Sequence, residues 1–244
     1  MQLTDVPARA LAVFSHPNDP EVACAGTLAA WTAAGCEARM LIVNAGDKGS
    51  DDASVAPDEL ARQRAEEVAA AGEVLGLAGA VMLGVPDGEA QNTPELRGRI
   101  VEVLREYRPE VVICPDPTSV FFGSAYLNHH DHREVGWAAL DSCAPMAASP
   151  LYYPDAGPAH AVEFVLLAGT LSVDCWVDIE ATLSKKAGAL ACHETRLGDV
   201  ALELATELVA ARAEEAAEAA AAAGTSGLRA AEGFRRLLLI PNEH

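Results

Sequence analysis

Two short groups of histidine and acidic residues are the part of this sequence that could carry out chemistry. They are segment 15–21, with the sequence SHPNDPE, and segment 128–132, with the sequence NHHDH. Two imidazoles and one carboxylate around an open fourth position form the donor set of hydrolytic zinc sites. His16 and Asp19 flank a proline-containing turn that can aim both side chains inward, and His132 would complete the set. The sequence therefore predicts a Zn²⁺ site at His16, Asp19 and His132, where the ion would polarise a carbonyl group and activate water.

His129 is not needed as a ligand in this arrangement, so it is free to act on protons. Asp131 is expected to orient His129 and to favour its protonated form, as carboxylates do for catalytic imidazoles. A purely structural interpretation stays open beside this one. In that alternative, the first segment caps a helix and the second is a solvated loop.

The pattern of apolar residues indicates how the chain brings these two groups together. Short apolar runs typical of buried strands cover Ala10–Phe14, Arg39–Asn44, Ala80–Gly84, Val111–Pro115, Val162–Leu167 and Ser172–Ile179. Helix-period segments cover Val22–Gly35, Asp58–Leu75, Pro94–Tyr107, Glu134–Ala147 and Leu183–His193. A long, alanine-rich surface helix is expected at Leu202–Ala223, ended by Gly224. A Pro/Gly-rich stretch runs from Pro150 to Pro158.

The alternation of strands and helices predicts an α/β fold of the Rossmann-like, doubly wound type. We expect one domain over residues 1–244, with a mostly parallel sheet and helices on both faces. Ligands of such sheets bind beyond the carboxyl ends of the strands, at the point where the strand order reverses. Both histidine groups follow strands, so they are expected to converge there. The segment after the first strand lacks the G-x-G-x-x-G pattern of dinucleotide binders, which argues against a nucleotide site.

Composition excludes several classes of partner. The formal net charge is −19 and the isoelectric point about 4.6, so no basic surface for nucleic acid is expected. An acidic surface is repelled by anionic lipid, and no apolar run reaches the length of a membrane helix. Residues 1–9 carry no signal-peptide pattern, so a cytoplasmic location is expected. The six cysteines are scattered, which favours reduced, buried side chains.

At the histidine groups the sequence resembles the LmbE-like, PIG-L family of zinc-dependent N-deacetylases. That family carries H-P-D-D-x-E after the first strand and H-P-D-H later, where this chain has HPNDPE and HHDH. The resemblance extends over nearly the whole chain. Further matches to family motifs lie at Gly26-Thr27, Gly46–Ser50, Arg64 with Glu67, Leu83-Gly84, Asp87-Gly88, Val177–Ile179, Lys186, His193 and Glu232–Arg235.

The resemblance implies roles for individual residues. His16, Asp19 and His132 would bind zinc, and His129, supported by Asp131, would protonate the leaving amine or stabilise the oxyanion. Arg64 and Asp87 match positions that would face the sugar. His130, which stands where the family usually has proline, and His193 are further candidate substrate contacts, and a solvated or packed side chain for His130 and a core role for His193 stay open as alternatives. The implied substrates are small N-acetylated amino-sugar conjugates or related amides. Because related proteins are often trimers or hexamers, a homo-oligomer is also an expectation.

Asn18 is the main departure from the family pattern. The family has an aspartate there, whose carboxylate takes a proton from the attacking water. Asparagine offers no such base, and general-base catalysis contributes typically about 10²–10⁴-fold to rate. Four explanations stay open. Glu21 or His129 replaces the base, the substrate is unusually reactive, the protein is a zinc- and sugar-binding relative without turnover, or the asparagine is a deliberate inactivating substitution.

Overall fold

The structure, a computed structural model, describes residues 1–198 and 201–239, and its centre is a seven-stranded sheet. In their order across the sheet, the seven strands are β3 Gly79–Val85, β2 Glu37–Asn44, β1 Arg9–Phe14, β4 Val111–Pro115, β7 Phe164–Ala168, β9 Ala231–Leu238 and β8 Cys175–Asp178. Strands β1 to β4 and β7 are parallel, whereas β9 is antiparallel to both of its neighbours. This confirms the predicted α/β, doubly wound, mostly parallel architecture.

Helices cover both faces of the sheet. They are α1 Asp19–Ala23, α2 Ala25–Ala33, α3 Pro57–Leu75, α4 Pro94–Tyr107, α5 His130–Asp141, α6 Leu183–Ala191, α7 Glu194–Leu197 and α8 Ala201–Ala222. Strand β1 shows why two layers are needed. Its residues Ala10, Ala12 and Phe14 join one buried cluster, while the alternate residues Leu11 and Val13 join another on the opposite face. A strand buried on both faces must be apolar throughout, as this one is.

The helix predicted at Val22–Gly35 is divided in two. Helix α1 ends at Ala23 and α2 begins at Ala25, because the backbone of Cys24 leaves the helical conformation. The side chain of Glu232 accepts hydrogen bonds from the backbone N–H groups of Gly26 (2.9 Å) and Thr27 (2.7 Å). These are N–H groups that the first turn of a helix leaves without a partner. A distant carboxylate therefore caps α2, which a local pattern cannot indicate.

Other elements also differ from their predicted bounds. The helix expected at Glu134–Ala147 begins earlier, at His130, and becomes irregular at Ser142–Ala147, which contains Pro145. Proline lacks the N–H group that a regular helix needs. The strand expected at Ser172–Ile179 is shorter. Strand β9 and a two-stranded hairpin, β5 Phe121–Phe122 and β6 Tyr126–Leu127, were not predicted.

Helix α8 was expected to be a surface helix, but one of its faces is buried. Ala205, Val209, Ala213 and Ala217 recur every four residues and are all buried, so one face packs on the rest of the protein. That face contacts α6, β8 and β9. Gly224 follows the helix with a φ of 86°, as expected of a residue that ends one.

Two further features are the state of the cysteines and the character of the helices. All six cysteines are free, and five of them are buried. Within residues 1–198 and 201–239, no helix combines the length and the apolar character required to cross a membrane.

Candidate metal centre

The two histidine groups meet at the point of the sheet where the strand order reverses. Strands β2 and β3 extend the sheet to one side of β1, and β4 and β7 extend it to the other. The loop after β1 carries His16 and leads into α1, which begins at Asp19. His132 lies in the first turn of α5, beyond β4. The carboxyl ends of β1 and β4 thus bring together residues more than 100 positions apart in sequence.

His16, Asp19 and His132 present three ligand atoms at nearly equal separations. The Oδ2 atom of Asp19 lies 3.4 Å from His16 Nδ1 and 3.1 Å from His132 Nε2. The two ring nitrogens are 3.3 Å apart. A tetrahedral zinc site with ligand distances of about 2.0–2.2 Å separates its ligand atoms by roughly 3.3–3.6 Å. The spacing of the three atoms therefore fits one face of such a tetrahedron.

The far nitrogen of each histidine is held by a hydrogen bond. His16 Nε2 lies 2.9 Å from Asp131 Oδ2, and His132 Nδ1 lies 3.1 Å from Asn128 Oδ1. The amide of Asn128 is itself oriented, because its Nδ2 donates to the carbonyl oxygen of Ser119 at 2.9 Å. Such contacts place the proton on the outer nitrogen and leave the inner lone pair for a metal ion. The donor chemistry of this cluster thus fits a divalent cation.

The surrounding charges also favour a cation. Burial lowers the pKa of His16, but the hydrogen bonds that its ring donates to Asp131 and Asp19 outweigh this and raise the pKa to about 10. Burial raises the pKa of Asp19, but His132 and His16 bring it below its usual range. Without a metal ion, a proton on His16 therefore balances the carboxylates. A metal ion would take the place of that proton.

His16, His129 and Asp131 form a second group whose ligand atoms lie close enough to hold an ion. In this group Asp131 already accepts hydrogen bonds from the backbone N–H groups of Gly88 (2.7 Å) and Ala90 (3.2 Å). Its Oδ2 is therefore committed to His16 Nε2 and Gly88 N. In the first group, the carboxylate of Asp19 has fewer competing hydrogen bonds than that of Asp131. The outer ring nitrogen of each histidine in that group is also held by a hydrogen bond.

His129 stands beside the ligand cluster with about half of its side chain exposed (48%). Its ring centroid is 4.9 Å from that of His16 and 5.5 Å from that of His132. Asp131 was expected to orient His129 and favour its protonated form. Its backbone N–H donates to His129 Nδ1 at 3.2 Å, whereas its carboxylate Oδ2 is 3.7 Å from that nitrogen and closer to His16. Burial and the charge on His16 lower the pKa of His129 despite Asp131. The neutral imidazole is favoured instead.

Asn18 is the residue that precedes helix α1. Its φ of 79° places it in the left-handed region, and its side chain makes no capping hydrogen bond to α1. Asparagine and aspartate adopt this conformation more readily than other residues with a side chain. The backbone at position 18 therefore accommodates the family's aspartate as well as the asparagine of this chain.

Arg64 and Asp87, expected to contact substrate, hold the turn that follows β2. Asp87 accepts hydrogen bonds from the backbone N–H groups of Gly46 (2.8 Å) and Lys48 (3.2 Å). Arg64 is buried, and its Nη2 donates to the carbonyl oxygen of Gly49 at 2.9 Å. A Cβ atom at Gly46 would lie 2.5 Å from Arg64 Cδ, so glycine is needed there. Through these contacts, Arg64 and Asp87 hold the backbone of the turn that follows β2.

The other two expected substrate contacts, His130 and His193, lie in different surroundings. His130 is exposed at the first residue of α5. His193 is buried between two carboxylates, with Nε2 3.3 Å from Glu21 Oε2 and Nδ1 3.8 Å from Glu67 Oε2. Burial lowers the pKa of His193, but these carboxylates raise it to about 9. His193 thus acts as a buried cation between α1 and α3.

A cavity of about 740 Å³ opens beside the ligand cluster. Asp19, Asn128 and His132 line it at one end. The hairpin side chains Phe122 and Tyr126, whose ring centroids are 5.8 Å apart, form part of its wall. Neither Asn128 nor the hairpin was predicted to have a role in the site, although Asn128 stands directly before the histidine group.

Comparison with known proteins agrees with this geometry. Residues 11–143 match the PIG-L family, described as GlcNAc-PI de-N-acetylase. The chain is 30% identical over 199 residues to diacetylchitobiose deacetylase of Thermococcus kodakarensis, a match covering 80% of this chain and 73% of that enzyme. It is also 30% identical over 171 residues to a 1D-myo-inositol 2-acetamido-2-deoxy-alpha-D-glucopyranoside deacetylase of Kineococcus radiotolerans. That match covers 57% of this chain and 46% of the enzyme, about half of its length.

A solved deacetylase structure is also similar to this chain. The N,N'-diacetylchitobiose deacetylase from Pyrococcus horikoshii matches with a TM-score of 0.83 and 25% identity, covering 97% of this chain and 88% of the other. The family match extends over more than half of the sequence, and the relatives found by sequence are deacetylases. The chain therefore belongs to the PIG-L, or LmbE-like, family.

Proposed function

We propose that the protein is a zinc-dependent amidohydrolase that removes an N-acetyl group from a small amino-sugar conjugate. The observation that carries this proposal is the set of three ligand atoms 3.1–3.4 Å apart, each histidine supported from behind by a hydrogen bond. Relatives named as deacetylases of acetamido sugars support the substrate class.

His16, Asp19 and His132 would hold the ion. When bound, zinc polarises the amide carbonyl and lowers the pKa of water to near neutrality. In the overall reaction the carbonyl carbon gains an oxygen from water and the C–N bond breaks. The amine nitrogen takes both protons of that water and leaves as an ammonium group, and the acyl group leaves as a carboxylate.

His129 is the residue we assign to proton transfer. With Asn18 in the place of the family's aspartate, another base must accept the proton of the attacking water. Glu21 is a poor candidate, because its side chain is only 1% exposed and faces His193. His129 is half-exposed, and its ring lies near both ligand histidines. Its Nδ1 accepts a hydrogen bond from the backbone N–H of Asp131 at 3.2 Å, and once that bond opens the imidazole can accept a proton from water and return it to the leaving nitrogen.

The test is release of acetate by zinc-loaded protein from a panel of N-acetylated amino sugars, with bound zinc measured separately. His132→Ala should lose both zinc and hydrolysis. His129→Gln should keep zinc and lose about 10²–10⁴-fold in kcat. Zinc-loaded wild type that cleaves no member of the panel contradicts the proposal.

Asn18 also supports a second function, that of a zinc- and sugar-binding relative without turnover. Asn18→Asp separates the two because the backbone at this position suits both residues. If the variant gains hydrolysis from a wild type that has none, the native chain is a binding protein. If both proteins hydrolyse the panel at similar rates, His129 or another group already serves as the base.

A further inference from the structure

The cavity that begins at the ligand cluster continues between helix α8 and the sheet. Ala213, Ala216 and Ala219 of α8 line it, opposite Trp176 of β8 and Gly233 of β9. Because an alanine side chain ends at Cβ, α8 packs against the sheet without filling the space between them. The alanine-rich sequence of α8 therefore keeps this volume open.

Most of the side chains that line the cavity are apolar. Phe14, Val22 and Val173 add to the wall made by Trp176 and the alanines. Besides Asp19, charged residues also line it: Lys186 and Glu232, which are bonded to each other, and Arg212 and Glu215, which are exposed on α8. A sugar ring buried here would lose water from its hydroxyl groups, and such groups need partners when buried. A hydrocarbon chain has no such requirement and gains from leaving water.

The position of the cavity indicates which part of a substrate enters it. Asp19 and His132 are at one end, so the scissile amide lies there if the proposed function holds. The acyl substituent and the amine nitrogen are both bonded to the reacting carbon, so either side of the amide reaches the cavity, and its mostly apolar lining favours the hydrocarbon side. The volume of about 740 Å³ falls within the range of roughly 300–1,000 Å³ for small-molecule sites, which is ample for an alkyl chain.

We propose that this cavity binds an acyl chain longer than acetyl, so that N-acyl amino sugars of medium chain length are the preferred substrates. The inference rests on the proposed function for the cleavage step. The bond broken is the same amide C–N bond, and the product is a longer carboxylic acid. Chain length changes only how much apolar surface is buried when the substrate binds.

A chain-length series tests this directly. The kcat/KM of zinc-loaded protein is measured for N-acetyl-, N-butyryl-, N-hexanoyl- and N-octanoylglucosamine. Burial of a methylene group favours binding by about fourfold, so N-butyryl should exceed N-acetyl by roughly 15-fold. A flat or falling series overturns the inference while leaving the deacetylase proposal intact. A gain for octyl 2-acetamido-2-deoxyglucoside without a gain for N-octanoylglucosamine also overturns it, because the cavity then takes the aglycone.

Two matched variants test whether the dependence of kcat/KM on acyl-chain length arises in this cavity. Ala216→Phe places a ring in the cavity, whereas Ala211→Phe places the same ring on the exposed face of α8. The ratio of kcat/KM for N-octanoyl over N-acetyl substrate should fall at least about tenfold in the first variant and stay unchanged in the second. Equal ratios in both variants contradict the inference.

A binding measurement keeps the inference testable if turnover is absent. Calorimetry with sodium octanoate and sodium acetate on zinc-loaded protein compares the two chains without any reaction. Octanoate should bind more tightly than acetate, and Ala216→Phe should remove the difference. Octanoate binding without hydrolysis of any substrate refutes the proposed function alone, and equal binding of the two acids refutes the acyl-chain cavity.

Discussion

Lys186 and Glu232 form a buried ion pair that joins three parts of the fold. Lys186 Nζ donates to a carboxylate oxygen of Glu232 and to the carbonyl oxygen of Val22 at 2.8 Å. Glu232 also accepts the two N–H groups at the start of α2. Each side chain is only 4% exposed. The pair therefore ties α6 and β9 to the first two helices.

Replacing Lys186 with methionine should cost several kcal/mol. Methionine keeps much of the apolar stem, so the loss is mainly that of the charge. Removing one partner of a buried pair costs about 3–5 kcal/mol, because the other charge stays buried without its counterion. A domain's total stability is about 5–15 kcal/mol, so the variant loses a large share of it. In the double variant Lys186→Met with Glu232→Gln no charge remains, and its cost should be smaller than the sum of the two single changes.

Urea unfolding followed by circular dichroism measures these differences, with all proteins loaded with the same metal. A loss of about 3–5 kcal/mol lowers Tm by roughly 6–20 °C for a chain of this length. Lys185→Met is the matched control, because Lys185 is the exposed neighbour on the same helix. If Lys186→Met costs less than about 1 kcal/mol, or no more than the control, the N–H groups of α2 alone satisfy the carboxylate and the reasoning is wrong.

Three further predictions concern the metal support, a buried arginine and pH. Asn128→Ala should weaken metal binding about 10–100-fold in competition with a chromogenic chelator, and unchanged affinity would show that the His132 contact is dispensable. Arg105 is buried and donates to six backbone carbonyls between residues 146 and 157, so Arg105→Met should cost about 3–5 kcal/mol and speed hydrogen exchange there. Unchanged exchange argues against this role. The pKa of His193 is raised from 6.5 to about 9, so its contribution to stability is complete below pH 6.5 and is lost as pH rises through about 9. The difference in unfolding free energy between wild type and His193→Gln should shrink over that range, and a constant difference contradicts the assignment.

The elements that follow simple periodicity were predictable from the sequence. Strand β4 and helix α4 have the bounds that their apolar patterns indicate. Strand β9 was missed because charged residues interrupt its pattern: Glu232 is neutralised by Lys186, and Arg236 packs its guanidinium over the ring of Phe164. These partners are distant in sequence, so no local window contains the reason for the strand.

The residues of the candidate site were likewise predictable only in part. Donor type and spacing were enough to predict His16, Asp19 and His132 as a group, and the structure brings them together. Sequence could not show which of the expected substrate contacts also hold a loop. Arg64 is an example, because it matches a family motif and is also buried against the turn after β2. Its surroundings are set by a backbone carbonyl, which carries no signal in the sequence.

Acidic side chains around the ligand cluster support the backbone as well as a cation. Asp131 accepts two N–H groups of the loop after β3, Asp87 accepts two from the turn after β2, and Asp19 accepts one from the loop after β1. Hydrogen bonds from N–H groups favour the ionised carboxylate. The bonds that fix these three loops thus also concentrate negative charge beside two imidazoles. A cation bound there would relieve that charge, so the contacts that order the loops also make the site suitable for the proposed metal ion.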